Sequence, residues 1–104
     1  MELKNITLHA RAEVLFDGKF IRYTCILPNG KMMICGMGMP GSYTATIPID
    51  TEFEIIDGAI EITLEGGIPA KRYTVGDRLF LIANESVHVT VNDRPCQFVG
   101  YHKN

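Results

Sequence analysis

Seven turn dipeptides cut this chain into pieces too short for long helices, and that spacing limits its fold more than any other feature. Asp17-Gly18, Asn29-Gly30, Pro40-Gly41, Asp57-Gly58, Gly66-Gly67, Gly76-Asp77 and Asn92-Asp93 recur at short, even intervals. Each pairs residues that tolerate positive φ or preset a turn. The runs between them are strand-like: 12–16, 20–27, 32–37, 43–47, 53–56, 59–64, 72–75, 79–83, 87–91 and 96–101. Several alternate with the two-residue period of a strand. Ile60, Ile62 and Leu64 oppose Glu61 and Thr63, and Val87, Val89 and Val91 oppose His88, Thr90 and Asn92. Many short strands with this punctuation predict an all-β sandwich or barrel. Asn29-Gly30 reads as a two-residue type I′ hairpin loop, which requires positive φ at both central residues.

The chain of 104 residues is long enough for one domain with a single core. Apolar residues at 46% and charged residues at 21% are ordinary for a globular protein. A net charge of −2 and no run of Lys and Arg argue against a nucleic-acid binder. No apolar stretch suits a membrane span. The first residues, with Glu2, Lys4, His9, Arg11 and Glu13, do not resemble a signal peptide. A cytoplasmic protein is the expectation. Residues 1–10 read as an edge strand, an arm or a loose terminus, with nothing in the sequence to choose among them.

Three cysteines, an odd number, argue against a disulfide framework. A two-residue loop at Asn29-Gly30 sets Cys25 opposite Ile34 and Cys35 opposite Thr24, so the two sulfurs fall on opposite faces. Buried, reduced thiols are expected.

The glycines carry a second layer of information. Gly41, Gly58 and Gly76 stand at the spacing of the two short motifs that build a small cupin barrel, and the chain resembles one. Counting from Gly41, a metal-binding cupin places its first ligands where this chain has Ile47, Ile49 and Thr51; counting from Gly76, the last falls at Val87. A carboxylate-imidazole set for iron, manganese or zinc does not assemble from these side chains.

The resemblance narrows further over residues 14–101. It rests on Phe16-Asp17-Gly18-Lys19, Leu27-Pro28-Asn29-Gly30-Lys31, Met39-Pro40-Gly41-Ser42-Tyr43, Glu52, Ile55-Ile56-Asp57-Gly58, Val75-Gly76-Asp77, Ala83-Asn84-Glu85-Ser86 and Tyr101. In this order and spacing they resemble the pyrimidine/purine nucleoside phosphorylase family of single-domain cupins. The resemblance implies a cupin-type jelly-roll β-barrel over 1–104. It also implies metal-independent phosphorolysis, with nucleosides and inorganic phosphate as partners and no cofactor. A homodimer is expected, because small open sheets cover their edges by two-fold pairing. A non-catalytic ligand-binding or scaffold cupin is the competing expectation, since fold alone does not fix function.

Phosphorolysis passes through an oxocarbenium-like state and asks for a carboxylate at the sugar, a cation at the phosphate and a proton donor for the base. The resemblance offers Glu52 for the sugar and His88 for the proton, with Lys19 and Lys31 for phosphate. Tyr43 and Tyr101 are candidates for stacking on the base or bonding the ribose. Arg22, Arg72 and Arg78 are chemically better phosphate forks but match no motif of the family. The register that turns Ile47, Ile49, Thr51 and Val87 inward turns Glu52 and His88 outward. Either a bulge shifts one strand or the site lies outside the barrel.

Overall fold

The computed structural model describes residues 1–64 and 70–103, so the Gly66-Gly67 turn lies outside the described residues. It has ten strands and, among those residues, no helix: β1 (Thr7–Leu15), β2 (Phe20–Ile26), β3 (Met32–Gly38), β4 (Gly41–Thr46), β5 (Thr51–Asp57), β6 (Ala59–Leu64), β7 (Lys71–Thr74), β8 (Arg78–Leu81), β9 (Ser86–Val91) and β10 (Cys96–His102). Every pairing is antiparallel. One sheet runs β1-β2-β3-β10-β5-β8 and the other β4-β9-β6-β7.

Alternation decides what lies between the sheets. Ile60, Ile62, Val87, Val89 and Val91 are buried, as their period requires, and meet Ile34, Ile55, Leu81 and Phe98 from the larger sheet. Two glycines in the larger sheet make room for this packing. A Cβ on Gly36 would sit 2.7 Å from the Phe98 ring, and one on Gly100 would sit 2.9 Å from the Phe53 ring. A second cluster covers the opposite, outer face of the same sheet. There Cys25, Met33 and Val99 are buried with Leu3, Ile6, Ile56 and Tyr101 packed against them. The N-terminus is thus resolved in two parts: Leu3 and Ile6 lie over the outer face, Asn5 bends the chain at φ 58, and Thr7 begins edge strand β1.

The hairpin joining β2 and β3 corrects one expectation. Ile26 pairs with Met32, leaving a longer connection than a two-residue loop. Gly30 N–H donates to the Leu27 carbonyl at 2.8 Å, and Leu27 N–H donates to the Lys31 carbonyl at 2.9 Å. Gly30 has φ 83 while Asn29 keeps negative φ, so this is a three-residue loop closing on a left-handed glycine rather than a type I′ turn. The register moves by one residue, and with it the face of every side chain that follows. Cys25 now opposes Met33, and Cys35 opposes Tyr23. The two sulfurs therefore share the outer face, 3.8 Å apart, as free thiols. Burial and the neighbouring Cys25 push the Cys35 thiol up to about 11, which leaves little reactive thiolate near neutrality.

Asp17-Gly18 does form the tight turn that its composition favours. Both residues have positive φ, and Lys19 N–H closes onto the Phe16 carbonyl at 3.1 Å. Among the described residues, no helix is long and apolar enough to cross a membrane.

Candidate functional site

Between the two sheets lies a cavity of about 440 Å³. Ile47, Ile49, Thr51 and Val87 all line it, so the glycine spacing located the interior correctly. Three of them are carried by the 47–51 segment, which is fastened at several points. Asn84 N–H donates to the Ile47 carbonyl, Ile47 N–H to the Glu85 carbonyl, and Ala83 N–H to Asp50 Oδ1 at 2.6 Å. Thr51 spends its hydroxyl on the Ile49 carbonyl at 2.7 Å. The donor set at these positions does not fit a divalent transition ion. Among the described residues, no three His, Cys, Asp or Glu side chains gather in a ligand cluster.

One wall of the cavity is aromatic. Phe16 stacks on Tyr43 with ring centroids 4.5 Å apart and planes 14° off parallel. Phe20 meets Tyr43 edge-on at 6.2 Å and Phe98 at 5.3 Å. Burial raises the Tyr43 phenol above its usual value, so its hydroxyl stays protonated.

Charge enters the cavity at a single place. Arg22 is the one permanent cation, and Glu13 the one carboxylate, among the described lining residues. Arg22 donates through Nε to Glu13 Oε1 at 3.2 Å and through Nη2 to Oε2 at 3.3 Å. A bulge produces the pairing. Between His9, opposite Thr24, and Glu13, opposite Arg22, β1 spends four steps where β2 spends two. Bulges re-aim side chains in this way. The Arg22 side chain is 29% exposed and that of Glu13 52%, so the pair stands where the cavity opens to solvent.

His102 lines the same cavity from the last strand. Burial first, and then the charge of Arg22, lower its pKa below 6.5. The imidazole is therefore neutral at pH 7, and protonating it opposes folding. Its contribution to stability is present above the unfolded value and is lost as pH falls through the folded one. In an NMR titration, the His102 midpoint is expected below 6.5 and Arg22→Met is expected to move it upward. A midpoint unmoved by that substitution breaks the link between the two side chains.

Of the six residues suggested by the family resemblance, only Tyr43 reaches the cavity, and of the three arginines weighed beside them, Arg22 does. Glu52 points to the outer face of β5, where Lys103 lies 3.5 Å and Arg78 3.8 Å away. Tyr101 is its cross-strand partner on that face. His88 is exposed on the other sheet, with Nδ1 3.1 Å from Thr44 Oγ1. Lys19 lays its aliphatic stem over Gly41, and Lys31 is exposed in the β2–β3 loop. The structure thus brings Glu52 and Tyr101 together and leaves His88 apart from both. Glu13 and His102 were not singled out by sequence. The signal that marks them is a polar side chain at an inward-facing strand position, which a core does not tolerate without a use.

Comparison with known proteins places this geometry. Residues 10–99 match the family model described as pyrimidine/purine nucleoside phosphorylase. The chain belongs to that family. A protein of that name from Clostridioides difficile strain 630 is 32% identical over 102 residues, covering 95% of this chain and 97% of its own. Another from Geobacter sulfurreducens is 31% identical over 102 residues, covering 95% and 98%. The fold is cupin-like. A crystal structure of a protein of unknown function from Acinetobacter sp. ADP1 superposes with a TM-score of 0.91 at 17% identity, covering 98% of each chain. The polyketide cyclase RemF from Streptomyces resistomycificus superposes at 0.71 with 14% identity, covering 88% of this chain and 72% of its own. This chain therefore shares its fold with both proteins at low sequence identity.

Proposed function

We propose that this phosphorylase-family chain cleaves purine and pyrimidine nucleosides with inorganic phosphate, without a metal, inside the cavity between its sheets. The observation that carries the reading is the division of that cavity. Its body is apolar and aromatic, and its charged groups stand together at the opening. A nucleoside has the same division, with a flat base at one end and a hydroxylated sugar at the other. Stacking on Phe16 and Tyr43 grips any π-face without reading base edges, which suits both classes of base. The sugar then lies toward Glu13, Arg22 and His102. A phosphate oxygen bonds to the anomeric carbon as the N-glycosidic bond breaks. The electron pair of that bond leaves on the base nitrogen, which takes up the proton that the phosphate carried. Positioning and electrostatics supply the acceleration, so no metal-bound species enters the scheme.

Glu52 and His88 face away from the cavity, and in this reading they serve the sheet surfaces. The test is incubation with inosine or uridine and phosphate, with and without chelator, following free base. Base released only when phosphate is present, at a rate the chelator leaves unchanged, supports the proposal. Saturable nucleoside binding without turnover sinks it and favours a ligand-binding cupin. Glu52→Ala and His88→Ala should each stay within about threefold of the parent rate, which is about 0.7 kcal/mol of barrier. A large loss in either relocates the chemistry to the outer faces.

A further inference from the structure

We infer that Arg22 anchors a tetrahedral oxyanion at the opening of the cavity, with Glu13 as an exchangeable counter-ion that the oxyanion displaces. In the phosphorolysis reading, on which only the identity of the ligand rests, that oxyanion is the attacking phosphate.

Charge distribution makes the first argument. Among the described residues that line the cavity, Arg22 alone is permanently cationic. Its Nε and Nη2 edge is engaged side-on by the two carboxylate oxygens of Glu13. Two oxygens of a phosphate or sulfate occupy the same fork. The other arginines near a concavity are differently placed. Arg72 and Arg94 border the shallow cleft beside Gly58, both more than half exposed and facing Glu61 and Asp57 at 4.0 and 3.5 Å. Such surface pairs are worth little and hold little.

The asymmetry of the pair makes the second. Arg22 sits on β2, an interior strand, and is mostly buried; Glu13 sits on edge strand β1 beside the bulge and is half exposed. When the carboxylate swings out it regains water at small cost. The guanidinium cannot follow, and a partly buried cation left unpaired is unfavourable until another anion replaces the first. The site is therefore built to exchange anions rather than to hold one.

Its neighbours fit an oxygen-rich ligand. Thr24 lies two residues along β2, on the same face, and adds a hydroxyl. His102 lies near enough to Arg22 to feel its charge. The imidazole offers an N–H while neutral.

The experiment titrates inorganic phosphate, and separately sulfate, into the intact chain without nucleoside, following binding by calorimetry. The parent is expected to bind both saturably. Arg22→Lys should weaken binding about tenfold, since an ammonium keeps the charge but not the fork. Arg22→Met should abolish it. Glu13→Gln should tighten it about threefold or more, because no charged occupant is left to displace. Far-ultraviolet circular dichroism on each variant shows that the sheets persist. Phosphate affinity unchanged in Arg22→Lys and Arg22→Met overturns the assignment, as does weaker phosphate binding in Glu13→Gln. Anion binding lost with Arg22 supports it even where no nucleoside is turned over, an outcome that instead defeats phosphorolysis.

Discussion

Gly58→Ala is expected to lower the melting temperature by about 15 °C or more, where Gly76→Ala lowers it by about 5–10 °C. Both glycines have left-handed backbones, at φ 81 and φ 89, and in both a side chain adds roughly 1–2 kcal/mol of conformational strain. They differ in what a Cβ meets. At Gly76 nothing lies within 4 Å. At Gly58 the new carbon would fall 2.6 Å from the Pro95 carbonyl oxygen and 3.1 Å from Cys96 Cα. These are backbone atoms at the start of β10 and cannot rotate aside. Gly58 is buried where the chain leaves β5, in the larger sheet, for β6, in the smaller. Relieving the contact means moving one sheet against the other, which loosens the packing of Ile60 and Cys96 as well. A combined cost of about 3–4 kcal/mol is a large part of the stability of a domain this size. Thermal unfolding of the two variants side by side checks the difference. Equal losses would mean that strain alone matters at Gly58.

The same two positions show how much of this molecule was legible in its sequence. Turn glycines and two-residue alternation report local backbone rules, so each of the ten strand-like runs overlaps one of the ten strands, although β1 begins at Thr7, five residues before the run at 12–16. The interior faces of β6 and β9 follow directly. The spacing from Gly41 and Gly76 also pointed Ile47, Ile49, Thr51 and Val87 into one cavity, although Ile47 and Ile49 lie in the connection between β4 and β5 rather than on a strand. What was not legible depends on registers between strands. One extra residue in the β2–β3 loop brought Cys25 and Cys35 to the same face. The bulge that sets Glu13 opposite Arg22 leaves no mark in composition, because Ala10, Arg11 and Ala12 carry no turn or bulge signal, and only Ala12 opens a strand-like run. His102 lies one residue beyond Tyr101, the last residue on which the resemblance rests, so no motif drew attention to it. The cavity's walls are a local property of the sequence, whereas its charged opening depends on long-range pairing.

Ala45→Phe is expected to reduce kcat/KM for inosine about 100-fold or more while leaving the fold as stable as the parent. Ala45 stands on β4 opposite Val87, with its methyl group facing the cavity. Aromatic residues suit strand backbone, so the substitution asks for no change in β4. A phenyl ring there extends into the cavity that Ala45 and Tyr43 both line. Filling an apolar void is neutral to stabilising, so the melting temperature should hold or rise. The base of a nucleoside needs the same space, and a displacement of about 1 Å at the reacting carbon already costs about 100-fold. Stability and activity therefore move apart, which a variant that merely unfolds does not produce. If the folded variant keeps the parent rate, the chemistry does not use this cavity. The outer face of the larger sheet, where Glu52, Tyr101, Arg78 and Lys103 lie together, then becomes the place to look.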